Sequence, residues 1–135
     1  MTSRSERGFV AVEWVAAVAL LLLPIVVLVA TVPVWAERRH AATVAAREGA
    51  RVLVRDWPQS DPGRATVIAR EVADAHGVES DDVRVHVSSV GAERGSLVRV
   101  EVDVRMPAIS VMGLSAGAWR FTAVEVRRID DFRSR

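Results

Sequence analysis

Few side chains in this sequence have the spacing that catalysis or metal binding requires. The three histidines, His40, His76 and His86, show no metal-ligand spacing, and the paired acids at 81–82 and 130–131 lie in turn or tail sequence. No serine lies in a nucleophile elbow, and no glycine-rich loop follows a strand as a phosphate site requires. Cysteine is absent, which excludes disulfides and thiolate chemistry. We therefore predict no enzymatic activity, no cofactor, no metal and no small-molecule substrate.

One carboxylate has an unusual position. Glu13 lies in the segment RGFVAVEW, at the start of a long apolar run. An ionised carboxylate costs roughly 2.5 kcal/mol or more at the centre of a bilayer, and less near its surface. Taken alone, Glu13 is also compatible with an ordinary residue at headgroup level. However, a short basic leader ends in Gly8, and Phe9 with three more apolar residues separates that glycine from Glu13.

This arrangement resembles the processing site of type IV prepilins and pseudopilins. In those families the membrane aspartyl protease called prepilin peptidase cuts after the glycine, and the fifth residue of the mature chain is Glu. The resemblance implies cleavage between Gly8 and Phe9, and an assembly or recognition role for Glu13. The new ammonium at Phe9 of one subunit would then neutralise Glu13 of the next subunit inside an apolar filament.

The wider sequence is similar to one branch of these proteins. RGFVAVEW, a leucine-rich span with Pro24, and the segment AAREGARV at 45–52 resemble the TadE/TadG-like minor pseudopilins of tight-adherence pilus systems. The similarity is strongest over 7–55, and Trp14 stands where the family often has Tyr or Phe. The family implies other pilin or pseudopilin subunits as partners. It also implies a bacterial cytoplasmic membrane location with a cytoplasmic amino terminus and an exported C-terminal domain.

The apolar run predicts a membrane-spanning helix. Residues 14–36 carry no charge, and this length exceeds the roughly 20 residues that a helix needs to cross a bilayer. Pro24 and Pro33 are tolerated in membrane helices and predict bends. The arginines on the two sides of the run give no clear orientation. The length of this apolar run makes the lipid bilayer a predicted partner. The formal net charge of +1 predicts no strong attraction to nucleic acid.

Beyond the apolar run the sequence continues at helical spacing, which predicts one helix over about 9–55. Small residues lie on one face of its distal half, at Ala42, Ala45, Ala46 and Gly49. Such residues let another backbone approach closely, which suits contact with a neighbouring subunit. Packing of the same face on the chain's own domain is the alternative, and the two are compatible.

The remaining sequence predicts a small domain of the α+β class. Asp61 and Pro62 predict the start of a second helix that ends near Gly77. Alternating valines predict about three antiparallel strands, two of them forming a hairpin over about 83–105 and the third at about 119–127. The segment between the second and third strands is predicted to be a loop that packs onto the domain.

The resulting organisation has four parts. Residues 1–8 form the leader, 9–55 the transmembrane helix with its continuation, 56–130 the small exported domain, and 131–135 a frayed tail.

Two other functions fit the same sequence. One is a single-pass, membrane-anchored binding or accessory protein unrelated to pili, whose arginines at 47, 51 and 55 contact lipid headgroups or an acidic partner. The other is a secreted domain released by a signal peptidase, although the apolar run is long for a signal sequence. The mature amino terminus separates them, because the pilin hypothesis requires Phe9, the anchor Met1, and the secreted domain a residue near Glu37.

Overall fold

The first helix, α1, extends over Ser3–Arg55 and contains 53 residues, which corresponds to about 80 Å. The computed structural model describes the backbone at 3–90, 95–111, 114–116 and 118–129, and side chains at 12–89, 95–109 and 118–129. Pro24 and Pro33 both lie inside α1. The helix begins earlier than the expected Phe9, because the residues from Ser3 onward tolerate helix and Gly8 costs only about 1 kcal/mol there.

The second helix, α2, comprises Pro62–Ala75. The Asp61 carboxylate caps its start by accepting a hydrogen bond of 2.8 Å from the backbone N–H of Gly63. Gly77 has φ of 76° immediately after the helix, and its N–H donates to the carbonyl of Asp74 at 2.8 Å. Asp61 and Gly77 therefore have the capping roles that the sequence predicts.

A three-stranded antiparallel sheet follows. Strands β1 (Val83–Val90) and β2 (Leu97–Met106) form the expected hairpin, and a one-turn helix at Ser80–Asp82 precedes them. Strand β5 (Trp119–Arg128) pairs with β2, so that the order is β1-β2-β5. The predicted α+β fold, with a long helix, a second helix and a three-stranded antiparallel sheet, is confirmed.

The segment between β2 and β5 differs from the prediction of a loop. It contains a separate two-stranded antiparallel sheet made of β3 (Ile109–Val111) and β4 (Leu114–Ala116). Strands of three residues are too short to give a recognisable alternation in the sequence, which is why the pattern did not reveal them. The two residues between these strands, and the predicted tail at 131–135, lie outside the described residues.

The core lies between the two helices and one face of the sheet. The distal half of α1 packs on β2 and β5, and α2 packs on α1 and β1. Buried alanines from both helices face the buried valines of β2, which are Val98, Val100, Val102 and Val104. Small helix residues bring the backbones close to the sheet, so that short valine side chains fill the space between them.

Candidate functional site

The apolar part of α1 is uncovered by the rest of the chain. Every side chain from Val12 to Val26 is exposed, including Leu20 at 77%. A core helix of a soluble protein would bury this surface, whereas the most apolar 18-residue window here is 0% buried. By length and composition this is one helix able to cross a membrane, although a signal sequence meets the same test. The described residues thus contain one candidate membrane span.

Glu13 lies on the exposed part of this helix. Its neighbours Val12 and Trp14 are 68% and 70% exposed. Gly8 and Phe9 belong to the helical backbone of α1, while the Phe9 side chain lies outside the described residues. Along a helix, five residues correspond to about 7 Å, so the predicted cut site and the carboxylate lie within one and a half turns. An exposed carboxylate in this position is free to meet a cation supplied by another molecule.

The small residues of α1 pack inside the domain. Ala42, Ala45 and Ala46 are at most 1% exposed, and Gly49 is buried. A Cβ added at Gly49 would lie 3.3 Å from Val100 Cγ1 and 3.4 Å from both the Ala65 carbonyl oxygen and Ala69 Cβ. At Gly49 the backbone that approaches closely is therefore that of α2 in the same chain, and a valine side chain of β2 packs beside it.

A polar and aromatic junction joins α1 to the sheet at the end of the apolar run. Arg38 Nη1 donates to Asp82 Oδ2 at 2.8 Å and to the carbonyl of Arg105 at 2.6 Å. Trp35 Nε1 donates to the carbonyl of Pro107 at 3.3 Å, and its ring meets that of Trp119 edge-on at 6.2 Å. These contacts hold the sheet against the helix at the point where α1 leaves its apolar segment.

Sequence reasoning missed this junction. The residues that contact each other in this junction come from segments far apart in the chain. The feature of the sequence that could have indicated it is the cluster of aromatic and basic residues at the end of the apolar run. Arg39, next to Arg38, adds to the cluster with its guanidinium 4.9 Å from the centre of the Phe121 ring.

The histidines and paired acids have ordinary surroundings. His40 of α1 and His76, directly after α2, pack edge-to-face with 5.9 Å between ring centres. His86 Nε2 lies 3.9 Å from Asp103 Oδ2. Asp82 belongs to the junction with Arg38, whereas the pair at 130–131 lies outside the described residues. Within the described part of the chain, no three His, Asp or Glu side chains converge as a metal site would need.

Comparison with known proteins gives no further assignment: no protein-family model, curated protein or solved structure matches this chain.

Proposed function

We propose that this protein is a minor pseudopilin-like, membrane-anchored structural or assembly subunit of a tight-adherence, type IV-related pilus apparatus. The observation that carries the proposal is the exposed carboxylate of Glu13 at the start of an uncovered apolar helix, five residues after Gly8. A pilin-like subunit needs such a helix both as an anchor and as a packing surface. The proposal rests on the N-terminal resemblance, and the exposure of α1 and of Glu13 supports it.

The continuity of α1 is a second support. The helix runs from the apolar segment into the domain core without a linker, and its distal alanines are part of that core. A subunit built in this way transmits the position of its anchor directly to its folded domain. That property suits a component that must hold its domain in a fixed place beside neighbouring subunits.

In this proposal the protein is inserted in the bacterial cytoplasmic membrane with a cytoplasmic amino terminus and an exported domain. Prepilin peptidase hydrolyses the peptide bond between Gly8 and Phe9, leaving a carboxylate on Gly8 and an ammonium on Phe9. The ammonium of one subunit and Glu13 of another pair within the apolar helix packing. Pairing removes two isolated charges from a medium in which each is costly.

Intact mass and N-terminal sequencing of the protein from its native membrane fraction test the proposal. We expect a chain that starts at Phe9, and a Gly8→Leu variant that keeps its leader because a bulky residue obstructs the protease cleft. Ala16→Leu is the matched control, since it adds the same side chain to the same helix away from the cut site, and it should be processed normally. A wild-type chain that starts at Met1 would contradict the proposal and indicate a single-pass membrane anchor that is not processed. A start near Glu37 would make the protein a secreted domain.

A further inference from the structure

The end of the sheet points along α1 toward the candidate membrane span. Strand β2 runs antiparallel to α1: Val100 contacts the position of Gly49, and the carbonyl of Arg105 accepts from Arg38. Further along the same strand direction, the carbonyl of Pro107 accepts from Trp35. Later residues of β2 therefore lie beside earlier residues of α1. By this trend, the residues that follow Pro107 lie beside the apolar part of the helix.

Strand β3 begins two residues after Pro107 and contacts α1. Between positions 12 and 37 the helix is exposed everywhere except at Val27, Thr31 and Trp35, which are half-buried and share one face. The stretch from Val27 to Trp35 spans about 12 Å of helix, and the four residue steps from Pro107 to Val111 would span about 13 Å of extended chain. The matching lengths place the β3–β4 hairpin beside the last turns of the apolar segment.

We propose that the β3–β4 hairpin lies in the headgroup layer of the phospholipid bilayer that α1 crosses. The occupant of this surface is inferred from continuity, because the helix segment beside the hairpin is apolar and is exposed on every face except the half-buried one. Ile109, the first residue of β3, is an apolar residue that is half-buried at this level. This inference requires a span in a bilayer and does not rest on the proposed pilin function.

The chemistry of the junction suits the interface between lipid and water. Trp35 and Trp119 have amphipathic rings of the kind enriched at headgroup level. Trp119 and Arg105 are exposed there, and a guanidinium binds the phosphate of a lipid headgroup well. Deeper insertion is unfavourable, because a two-stranded sheet leaves backbone groups on its edges that hydrocarbon cannot satisfy. In the headgroup layer the aromatic and arginine side chains can contact lipid while the backbone groups at the sheet edges still contact water.

This position also sets the depth of α1. If the outer headgroup layer begins near Val27 to Ala30, the roughly 20 residues that cross the hydrocarbon begin at about position 8–11. Glu13 then lies about 5 Å inside the apolar layer, whereas a span made of residues 14–36 would leave it at the boundary. Lipid contact at one end of the helix would thus hold the carboxylate where only a paired charge is favourable.

Site-directed spin labelling tests this inference on the full chain in phosphatidylcholine–phosphatidylglycerol liposomes. The sequence has no cysteine, so single cysteines give unique labels. Ile109→Cys reports the hairpin, Leu20→Cys the span, and Val67→Cys, on an α2 position that is 54% exposed, the solvent. We expect the ratio of oxygen to nickel-chelate accessibility at Ile109→Cys to be several-fold above that at Val67→Cys and below that at Leu20→Cys.

A second labelled position, outside the hairpin, controls for the possibility that the Ile109→Cys substitution disrupts the hairpin itself. Trp119→Cys lies at the same level on β5, at a position that is 45% exposed, and should give the same intermediate ratio. Ratios at Ile109→Cys and Trp119→Cys equal to that at Val67→Cys would overturn the inference. Exclusion of both reagents from the two positions would also overturn it, because that result indicates a protein partner in place of lipid. A water-like ratio at Leu20→Cys would remove the span on which the inference depends.

Discussion

Replacing Gly49 by leucine tests whether the small residues of α1 serve the chain's own core. Gly49 lies where α1, α2 and β2 meet, and even a Cβ there would be 3.3 Å from Val100 Cγ1 and 3.4 Å from the Ala65 carbonyl oxygen. Both neighbours belong to packed elements, and the carbonyl oxygen is part of a helix backbone that cannot rotate away. The further three carbons of leucine have no space to occupy without separating the elements.

The expected magnitude follows from two opposing terms. Leucine is about 1 kcal/mol more favourable than glycine in a helix interior. Overpacking of a close-packed core typically costs 1–3 kcal/mol and sometimes more, and the shortage of space at Gly49 places this substitution at or above the upper end. We expect Gly49→Leu to lower the free energy of unfolding of the domain by about 2 kcal/mol. For Gly49→Ala the two terms nearly cancel, and the change should stay within about 1 kcal/mol.

Urea unfolding of the full chain in detergent micelles, followed by tryptophan fluorescence, measures this change. With a slope of about 1 kcal/mol per molar urea, a loss of about 2 kcal/mol moves the midpoint down by about 2 M. Arg47→Leu is the matched control, because it places the same side chain on the exposed face of the same helix and should change the free energy by at most about 0.5 kcal/mol. Equal midpoints for Gly49→Leu and Arg47→Leu would refute the intramolecular packing argument.

Two further substitutions test the anchor and the junction. We expect Glu13→Ala to stay in the membrane fraction but to stop co-purifying with partner subunits, while Glu13→Asp keeps the charge and retains them; normal co-purification of Glu13→Ala would contradict its assigned role. Arg38→Ala loses the partly buried hydrogen bond to Asp82 and the exposed hydrogen bond to the Arg105 carbonyl, and should lower the free energy of unfolding by about 1–2 kcal/mol in the same urea assay. An unchanged midpoint for Arg38→Ala would show that the junction does not hold the sheet to the helix.

The local elements could be predicted from the sequence because each has a strong local signal. Alternation of valine with polar residues predicts β1 and β2, and the pair Asp61 and Pro62 predicts the start of α2. The two short strands on either side of positions 112–113 were missed, because three residues are too few to show a period. The start of α1 was also placed too late, since a change in hydropathy marks the apolar segment and does not end a helix.

For the candidate site, patterns along a single helix could be predicted from the sequence, whereas contacts between separate elements could not. The sequence by itself determined the apolar segment of α1 and the position of Glu13, since both are properties of consecutive residues. It left open whether Ala42 and Gly49 face the chain's own domain or a neighbouring subunit, because small residues permit close approach by any backbone. Only the tertiary structure decided that α2 and β2 occupy this face. It also decided that Trp35 and Arg38 meet the end of the sheet, because contacts between segments about 70 residues apart depend on how the elements pack and leave no local pattern.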